Sequence, residues 1–399
     1  MRLTTFIGAG AAIEIGGPTT HTITTEVRKK KQNFIDRRTN YIERVARVLD
    51  KYYNTPCNFE EIYHTLEQID SYKKGWQGAA KQYTPFMTAF AKPRFKRFFK
   101  DDITILIAKQ DLITIVAKLI EGYNSKYKTE SENVWHTEFW KLMYDRFKLD
   151  IATLNYDTCI EQSLPKLEDG FEITEDSFER FNPRKLNHST NSKIFHLHGC
   201  IHYGYNRTKN ANKYTLEDDF NDLYKFKSYQ DASMQWFGRS SNTTQSAEEA
   251  IIGPIITGLK KTDKVINYPY STYYAALQNS IVENNALLIV GYSFGDLHLN
   301  RLLERIVRIH GKKRRIVVIT KFTGKAWHHD WTAMNWPENR DMMVFMSKAF
   351  QDYYPFDNGS FSMPDSPLIS KDGCAKLYLN GFQDAAINHG KKIVEFLSS

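Results

Sequence analysis

Four short motifs, far apart in the chain, contain residue types that can bind an anion and move a proton. Each follows an apolar, strand-like run at the point where that run gives way to a turn. In an open α/β sheet, ligands bind in the crevice outside the carboxyl ends of the strands, so the motifs are expected to meet there. They are Phe6-Ile7-Gly8-Ala9-Gly10-Ala11-Ala12, Thr153-Leu154-Asn155-Tyr156-Asp157, His196-Leu197-His198-Gly199 and Gly291-Tyr292-Ser293-Phe294-Gly295-Asp296.

The first motif is a glycine turn that can bring backbone N–H groups close to a diphosphate, although glycine serves any tight turn with a positive φ. Asn155 carries an amide that donates and accepts at once, so it can hold a ribose hydroxyl or a water molecule, or act only as a turn former. His198 carries an imidazole with an ordinary pKa of about 6.5, which can accept a proton from a hydroxyl or from water at neutral pH.

The two carboxylates in these motifs each have two interpretations. Asp157 can accept a hydrogen bond from the ligand, or it can cap the helix that follows. Asp296 can hold the ligand and can also cap the helix that begins at Leu297. His196 is expected on the same face of its strand as His198, where it serves as a support or a packing residue.

Apolar runs separated by helical patterns indicate a parallel sheet flanked by helices. Strands are predicted at Leu3–Ile7, Leu149–Leu154, Lys193–Leu197, Asn285–Val290 and Arg315–Thr320. Helices are predicted at Asp157–Leu164, Ser271–Val282 and Leu297–Ile309, and residues 200–250 are predicted to be loops. The fold class is therefore α/β, a Rossmann-like parallel sheet with an inserted helical lobe. Residues 1–21 and 149–345 form the catalytic core, 22–148 the lobe, and 346–399 a C-terminal segment that packs on the core or on a neighbouring subunit.

Composition favours a soluble globular protein, because 41% of the 399 residues are hydrophobic and 25% are charged. No apolar run approaches the roughly 20 residues that cross a bilayer, and the N-terminus lacks the features of a signal peptide. We therefore expect a cytoplasmic protein without membrane contact. The four cysteines form no CxxC pair, which argues against a disulfide framework and against a metal site.

The net charge of +8 is concentrated in clusters of basic residues. Such clusters can contact nucleic acid or an acidic partner, or they can be solvated helix faces and helix ends. The clusters are Arg28-Lys29-Lys30-Lys31 with Arg37-Arg38, then Arg94 with Lys96, Arg97 and Lys100, then Lys312-Lys313-Arg314-Arg315.

Together the four motifs resemble the sirtuin-like (silent information regulator) family, and within it the NAD-hydrolysing members found in bacterial antiphage defence. Members of this family have GAG followed by a serine and Gly-Ile-Pro-Asp-Phe-Arg, where this chain has Ala12 for the serine and then Gly16-Gly17-Pro18-Thr19-Thr20. The motif around Asn155 is similar to the family's Thr-x-Asn-x-Asp, His198-Gly199 to its His-Gly, and residues 291–296 to its Gly-Tyr-Ser-x-x-Asp.

The resemblance implies an NAD glycohydrolase that cleaves the nicotinamide–ribose bond of NAD to give nicotinamide and ADP-ribose or a cyclic variant. NAD is then the substrate, and no metal is expected. Asn155 and His198 would be the catalytic residues. The residues implied in binding the nucleotide are Gly8, Ala9, Gly10, Ala12, Pro18, Asp157, Gly291, Ser293 and Asp296.

Two other functions remain open: an NAD-dependent ADP-ribosyl transferase or deacylase, and a non-catalytic NAD- or ADP-ribose-binding subunit of a defence assembly. The first is disfavoured because the family's zinc cysteines and Phe-Arg are missing, and the second because Asn155 and His198 are retained. The resemblance also implies a homo-oligomer paired with a HerA-type hexameric ATPase, with nucleic acid reached through that partner. In that context NAD depletion would stop phage growth.

Overall fold

The structure, a computed structural model, describes residues 1–34, 37–74, 102–128, 131–164, 166–173, 178–205, 223–235, 253, 255–259, 261–321, 340–350 and 367–399. Its strands are β1 Arg2–Ile7, β2 Gln32–Phe34, β3 Arg37–Thr39, β4 Lys148–Thr153, β5 Phe171–Ile173, β6 Glu179–Phe181, β7 Lys193–His196, β8 Tyr203–Tyr205, β9 Leu223–Lys225, β10 Ala286–Val290, β11 Arg315–Ile319, β12 Leu368–Ile369 and β13 Ala375–Tyr378. Its α-helices are α1 Gly10–Ile13, α2 Thr20–Lys29, α3 Tyr41–Tyr53, α4 Phe59–Lys74, α5 Asp102–Asn124, α6 Val134–Arg146, α7 Cys159–Ser163, α8 Pro183–His188, α9 Tyr229–Ser233, α10 Lys261–Lys264, α11 Tyr270–Glu283, α12 Leu297–Leu303, α13 Arg305–His310, α14 Arg340–Phe350 and α15 Phe382–Ser398.

The central sheet has the strand order β12-β13-β11-β10-β1-β4-β7, and every pair in it is parallel except β12 with β13. Most residues of β1, β4, β7, β10 and β11 are buried, as expected when helices cover both faces of a parallel sheet. All five residues of β10 are buried. The predicted α/β fold with a Rossmann-like parallel sheet is confirmed.

The order of strands reverses at β1, because the chain adds β4 and β7 on one side and β10, β11 and β13 on the other. Such a switch point separates the connecting loops and opens a crevice at the carboxyl ends of the two central strands. Alternate residues of β1 and β10 face opposite layers: one layer contains α11, and the other contains α6 and α15. The carboxyl ends of β1 and β10 are therefore held by helices on both sides.

The lobe after the first βα unit contains α2 to α5, and it packs on the sheet through one continuous core rather than a separate one. It also contains the β2–β3 hairpin, which the helical pattern did not predict. In this hairpin Gln32 lies opposite Thr39. Two short strands of this kind are stabilised by contacts between opposite residues more than by a periodic apolar pattern, so the sequence pattern does not reveal them. Helix α6 packs against α15 and β4, so the end of the predicted lobe belongs to the layer that covers the sheet.

Residues 200–250 were predicted to be loops, and this prediction is wrong for the part that the structure describes. Strands β8 and β9 lie there and join β5 and β6 in an antiparallel sheet of order β5-β6-β9-β8. Each of these strands has three residues, which is too short for an alternating pattern to stand out. Residues 206–222 and 236–250 lie outside the described residues.

The C-terminal segment packs on the core, which was one of the two predicted alternatives. It contributes β13 directly to the central sheet beside β11, and α15 covers that sheet.

The predicted helix Leu297–Ile309 is divided into α12 and α13 around Glu304. In the described part of the chain, no helix is both long and apolar enough to span a bilayer.

The basic cluster at residues 312–315 is not a uniform surface patch. The guanidinium of Arg314 is fully buried, where it donates to the carbonyl of Ala349 at 2.8 Å and to Asp372 at 2.6 Å. In the first cluster, Arg28 pairs with Glu43 at 2.7 Å and with Asp50 at 2.9 Å. Both arginines therefore bind elements of this chain, and neither supports a nucleic-acid surface. The cluster at Arg94, Lys96, Arg97 and Lys100 lies outside the described residues.

Candidate functional site

The four motifs leave the sheet side by side, because the last residues of four adjacent strands lie in one row. Ile7 of β1 is opposite Val290 of β10 and Thr153 of β4, and Thr153 is opposite His196 of β7. Adjacent strands lie about 4.8 Å apart, so the row is about 14 Å wide. The structure therefore brings the glycine turn, Asn155, His198 and the loop after β10 to one edge, at the switch point.

Backbone hydrogen bonds tie the loops beyond this row to one another. The N–H of Leu154 donates to the carbonyl of Ile7 at 2.9 Å, and the N–H of Ile201 donates to the carbonyl of Tyr156 at 2.9 Å. The N–H of Gly10 donates to the carbonyl of Gly291 at 2.8 Å. The site is thus held by main-chain contacts between loops that are distant in sequence.

The glycine turn and the loop after β10 approach so closely that no side chain fits between them. A Cβ on Gly8 would lie 2.6 Å from Cα of Tyr292, and one on Gly291 would lie 2.0 Å from the N atom of Ala11. The N–H groups of Gly8 and Gly10 donate to carbonyls of the neighbouring loop, so they are used inside the protein. The nucleotide-binding role of Gly8, Gly10 and Gly291 stays a prediction, while their role in loop contact is observed.

Three further residues near the glycine turn, Ala9, Ala12 and Pro18, were predicted to bind the nucleotide. Ala9 is exposed at the rim, and Ala12 is buried, with its carbonyl accepting from the N–H of Gly17 at 2.8 Å. Pro18 is half-buried and precedes Thr19, which caps α2 by accepting from the N–H of Thr22 at 3.1 Å. Ala12 and Pro18 therefore shape the chain between the turn and α2.

Asn155 and Asp157 differ in what their side chains contact. The side chain of Asn155 is half-buried and makes no hydrogen bond to the part of the chain that the structure describes. Asp157 is buried, and it accepts from the hydroxyl of Tyr123 at 2.5 Å and from the N–H of Cys159 at 3.0 Å. The amide of Asn155 is therefore free for a ligand, whereas Asp157 holds the start of α7, as its capping interpretation predicted.

His198 is buried, with 3% of its surface exposed, and its Nε2 has no hydrogen-bond partner among the described residues. Its backbone carbonyl accepts from the N–H of Ile256 at 2.7 Å, which fixes the loop. Burial, assisted by the charge of Lys261, lowers the pKa of His198 to about 3, and Asp296 opposes this shift. The imidazole is therefore neutral at pH 7.

Of the loop after β10, Ser293 lies exposed and Asp296 turns inward. The carboxylate of Asp296 makes no side-chain cap to α12, so the predicted capping role is wrong. It accepts instead from Lys261 at 3.0 Å. Burial alone would raise the pKa of Asp296, but its interactions with His198 and with the ammonium of Lys261 outweigh burial and the pKa is lowered.

Three residues of the site were missed by sequence reasoning. Lys261 lies between Asp296 and Glu60 of α4, and the hydroxyl of Tyr156 donates to the carbonyl of Ile256 at 3.1 Å. Tyr156 lies inside a recognised motif, and that position was its only signal. Lys261 and Glu60 lie in stretches without any motif, and the sequence offered no signal for them.

His196 differs from His198 because its side chain has a partner within the protein. Its Nε2 lies 2.7 Å from a carboxylate oxygen of Glu161 on α7, in a buried ion pair. Burial opposes the charged imidazole, but Glu161 outweighs burial and the pKa of His196 is raised. His196 therefore anchors α7 to the sheet. Among the described residues, no group of His, Cys, Asp or Glu side chains is arranged to hold a metal ion.

Buried neutral histidines are expected to make the fold sensitive to acid. Burial lowers the pKa of both His136 and His198 to about 3. Below the unfolded pKa of about 6.5 the unfolded chain binds protons that the folded chain does not, so stability falls from about pH 6.5 towards pH 3. Each histidine should contribute a loss of up to about 2 kcal/mol between pH 7.5 and 5. His196 acts in the opposite direction, because its raised pKa stabilises the folded state in acid.

Urea unfolding at pH 7.5 and 5.0 measures this effect, comparing wild type with His198→Gln. The variant should lose less stability on acidification than wild type does. His188→Gln, at an exposed helix end, is the control and should behave as wild type. Equal acid sensitivity in His198→Gln and wild type would contradict the prediction.

Comparison with known proteins gives a family match over residues 150–335, to the model described as SIR2-like domain. The matched region contains the motifs of Asn155, His198 and Asp296 but not the glycine turn. One similar solved chain comes from work on the mechanism and regulation of Sir2 enzymes, with 11% identity, a TM-score of 0.36, and coverage of 100% of this chain and 92% of that chain. Another, from work on sirtuin substrate affinity, has 13% identity, a TM-score of 0.32, and coverage of 80% and 82%. No curated protein matches the chain. The family match supports a SIR2-like domain over residues 150–335.

Proposed function

We propose, with the SIR2-like domain as premise, that this protein is an NAD glycohydrolase that cleaves the nicotinamide–ribose bond of NAD. The proposal rests on one observation: two polar side chains without hydrogen-bond partners lie at the same edge of the sheet. The amide of Asn155 and the Nε2 atom of His198 follow adjacent strands in register, and neither has a hydrogen-bond partner among the described residues. A buried polar atom without a partner is costly unless a ligand uses it.

The chemistry suits these two groups. As the bond between C1′ of the ribose and the nicotinamide nitrogen breaks, its electron pair returns to the nicotinamide ring and positive charge develops on the ribose. A water oxygen bonds to C1′ and loses a proton. Asn155 would hold the water or a ribose hydroxyl, and neutral His198 would accept the proton at Nε2. The carboxylate of Asp296 then stabilises the imidazolium, because its charge raises the pKa of His198.

The alternatives differ in what they need from the site. A non-catalytic subunit that binds NAD or ADP-ribose needs no base, whereas a hydrolase does. A deacylase or ADP-ribosyl transferase needs an acceptor other than water. Incubation of the purified protein with NAD, followed by mass spectrometry of the products, separates these cases. Nicotinamide and ADP-ribose, or its cyclic form, support the hydrolase, and unchanged NAD in every partner and oligomeric state contradicts it.

We propose further that the protein acts in antiphage defence, as a homo-oligomer paired with a HerA-type hexameric ATPase. This rests on the resemblance of the motifs to defence hydrolases. A physical reason supports regulation: an unrestrained NAD hydrolase would exhaust the nucleotide of its own host. The helical lobe offers aromatic residues beside Arg and Lys, which are types enriched in protein interfaces. Tyr52 and Tyr53 on α3 are both exposed, at 81% and 56%.

Assembly is expected to change activity by an order of magnitude or more. Light scattering should detect a homo-oligomer, and NAD turnover should differ at least tenfold between the protein alone and its complex with a HerA-type ATPase. The double variant Tyr52→Ser with Tyr53→Ser should weaken assembly, and Val134→Ser, at an exposed position outside α3, is the control. A monomer whose turnover ignores the ATPase and DNA would rule out this part of the proposal.

A further inference from the structure

One segment contacts three of the four motifs, although no motif marks it in the sequence. This bridging segment comprises residues 255–259 and 261–264. The N–H of Ile256 donates to the carbonyl of His198 at 2.7 Å, and the carbonyl of Ile256 accepts from the hydroxyl of Tyr156 at 3.1 Å. Ile255 pairs with Gly199 in an isolated antiparallel bridge. The bridging segment therefore lies directly against the residues proposed to react.

Lys261 extends this contact to the helical lobe. Its Nζ atom lies 3.0 Å from Oδ1 of Asp296 and 3.1 Å from Oε1 of Glu60 on α4. The side chain of Lys261 is 9% exposed, and those of Asp296 and Glu60 are 16% and 28% exposed. One shielded ammonium thus joins two carboxylates that are distant in sequence, and both Lys261 and Asp296 act on the pKa of His198.

Titratable groups on α10, on α12 and in the loop after β10 act on the pKa of His198. Lys261 and Lys264 of α10 disfavour its protonation, and so does His298 of α12, whereas Asp296 favours protonation. Lys264 is the natural comparison for Lys261. It lies on the same short helix, pairs with Glu67 of α4 and donates to the carbonyl of Thr257 at 2.9 Å, but the structure gives it no contact with Asp296.

We propose that Lys261 is a positioning residue of the NAD site: bound to Glu60 of the helical lobe, it holds the Asp296 carboxylate beside His198. This rests on the proposed function, since it assigns a role in the same reaction. Without Lys261, Glu60 and Asp296 would be two shielded carboxylates without a counter-ion between them, and like charges so placed separate or take up a proton. The Asp296 loop would then lose the position from which it stabilises the imidazolium.

Through Glu60, this arrangement also allows the position of the helical lobe to affect the catalytic rate. A displacement of α4 would carry Glu60 away and leave Lys261 with Asp296 alone. Their pairing would tighten, because the ammonium would no longer be shared. The negative charge available to His198 would fall, and the rate would fall with it. A partner that binds the lobe could change activity by this route without reaching the crevice.

The test compares Lys261→Met, Lys261→Arg and Glu60→Gln with the control Lys264→Met, each in the full chain and, for turnover, in its active assembly. Lys261→Met should lower kcat for nicotinamide release at least tenfold more than Lys264→Met does, with a smaller change in KM. Lys261→Arg should restore most of kcat. Glu60→Gln keeps the Lys261–Asp296 pair, and it should lower kcat at least threefold at unchanged thermal stability.

A second readout does not depend on activity. The His198 imidazole is followed by NMR during a pH titration, and its pKa should rise less in Lys261→Met than in Lys264→Met, because the displaced Asp296 carboxylate no longer stabilises the imidazolium and so offsets the loss of the ammonium charge. If wild type releases no nicotinamide but this difference is seen, the proposed function fails and the positioning of the His198 environment by Lys261 stands. Equal kcat losses and equal His198 titrations in the two methionine variants would overturn the positioning role, and a wild-type kcat in Glu60→Gln would overturn the link to the lobe.

Discussion

Replacing His198 with alanine is expected to lower the rate of nicotinamide release by about 10²–10⁴, the usual contribution of a positioned base. No described group can take over, because Asp296 is bound to Lys261 and Asn155 cannot accept a proton. Asn155→Ala should lower the rate by a similar factor, since no amide then forms the proposed hydrogen bond to the water or to the ribose hydroxyl. Because the Nε2 atom of His198 has no partner to lose, the fold should remain intact.

The measurement is single-turnover release of nicotinamide at saturating NAD, together with the thermal midpoint of each variant. His298→Ala is the control, because His298 also lies near the site and contacts Tyr274 at 3.2 Å instead of the crevice. His196→Ala should reduce turnover less than His198→Ala, but it leaves buried Glu161 without its partner and should lower stability. Turnover near the wild-type rate in either His198→Ala or Asn155→Ala would show that the catalytic assignment is wrong.

Gly291→Ala should be among the most destabilising single substitutions in the chain. Gly291 has a φ of +61°, and an added Cβ would lie 2.0 Å from the N atom of Ala11. The left-handed backbone costs a non-glycine residue roughly 1–2 kcal/mol, and overpacking against a fixed neighbour adds about 1–3 kcal/mol. We therefore expect the free energy of unfolding to fall by about 3 kcal/mol or more, measured by urea unfolding.

Gly295→Ala is the matched control in the same loop. A Cβ there would have Ser293 Oγ as its nearest neighbour at 3.6 Å, which is an ordinary contact. Its stability should stay within about 1 kcal/mol of wild type. If Gly291→Ala is as stable as Gly295→Ala, the glycine turn and the loop after β10 separate easily and do not hold the site together.

The sequence was sufficient for the sheet strands and for the edge at which the site lies. Buried parallel strands are short apolar runs bounded by turns, and β1, β4, β7, β10 and β11 fall within a residue or two of their predicted positions. Ligands in such sheets bind at the carboxyl ends, so a motif after each strand indicates a shared crevice. The C-terminal strand β13 was missed, because a strand of four residues that includes Lys376 gives too little pattern.

Local sequence could not distinguish the two roles open to each carboxylate. Asp157 lies two residues before its helix and Asp296 lies directly before its own, yet only the carboxylate of Asp157 accepts from an N–H of the helix that follows. The difference lies in what reaches each of them: Tyr123 from α5 contacts Asp157, and Lys261 contacts Asp296. Similarly, Arg314 resembles its basic neighbours in sequence, and only the packing of α14 and Asp372 buries it.

The sequence by itself therefore determined the fold class, the four motifs and the sheet edge that they share, because these depend on local periodicity and on turns that follow strands. Only the tertiary structure decided which side chains are free and which are engaged. Glu60 and Lys261 are 201 residues apart in sequence, and they meet because the first turn of α4 packs beside α10, where Lys261 also reaches Asp296. Such contacts depend on the packing of whole elements, which no local pattern encodes, and they set the charge that surrounds His198.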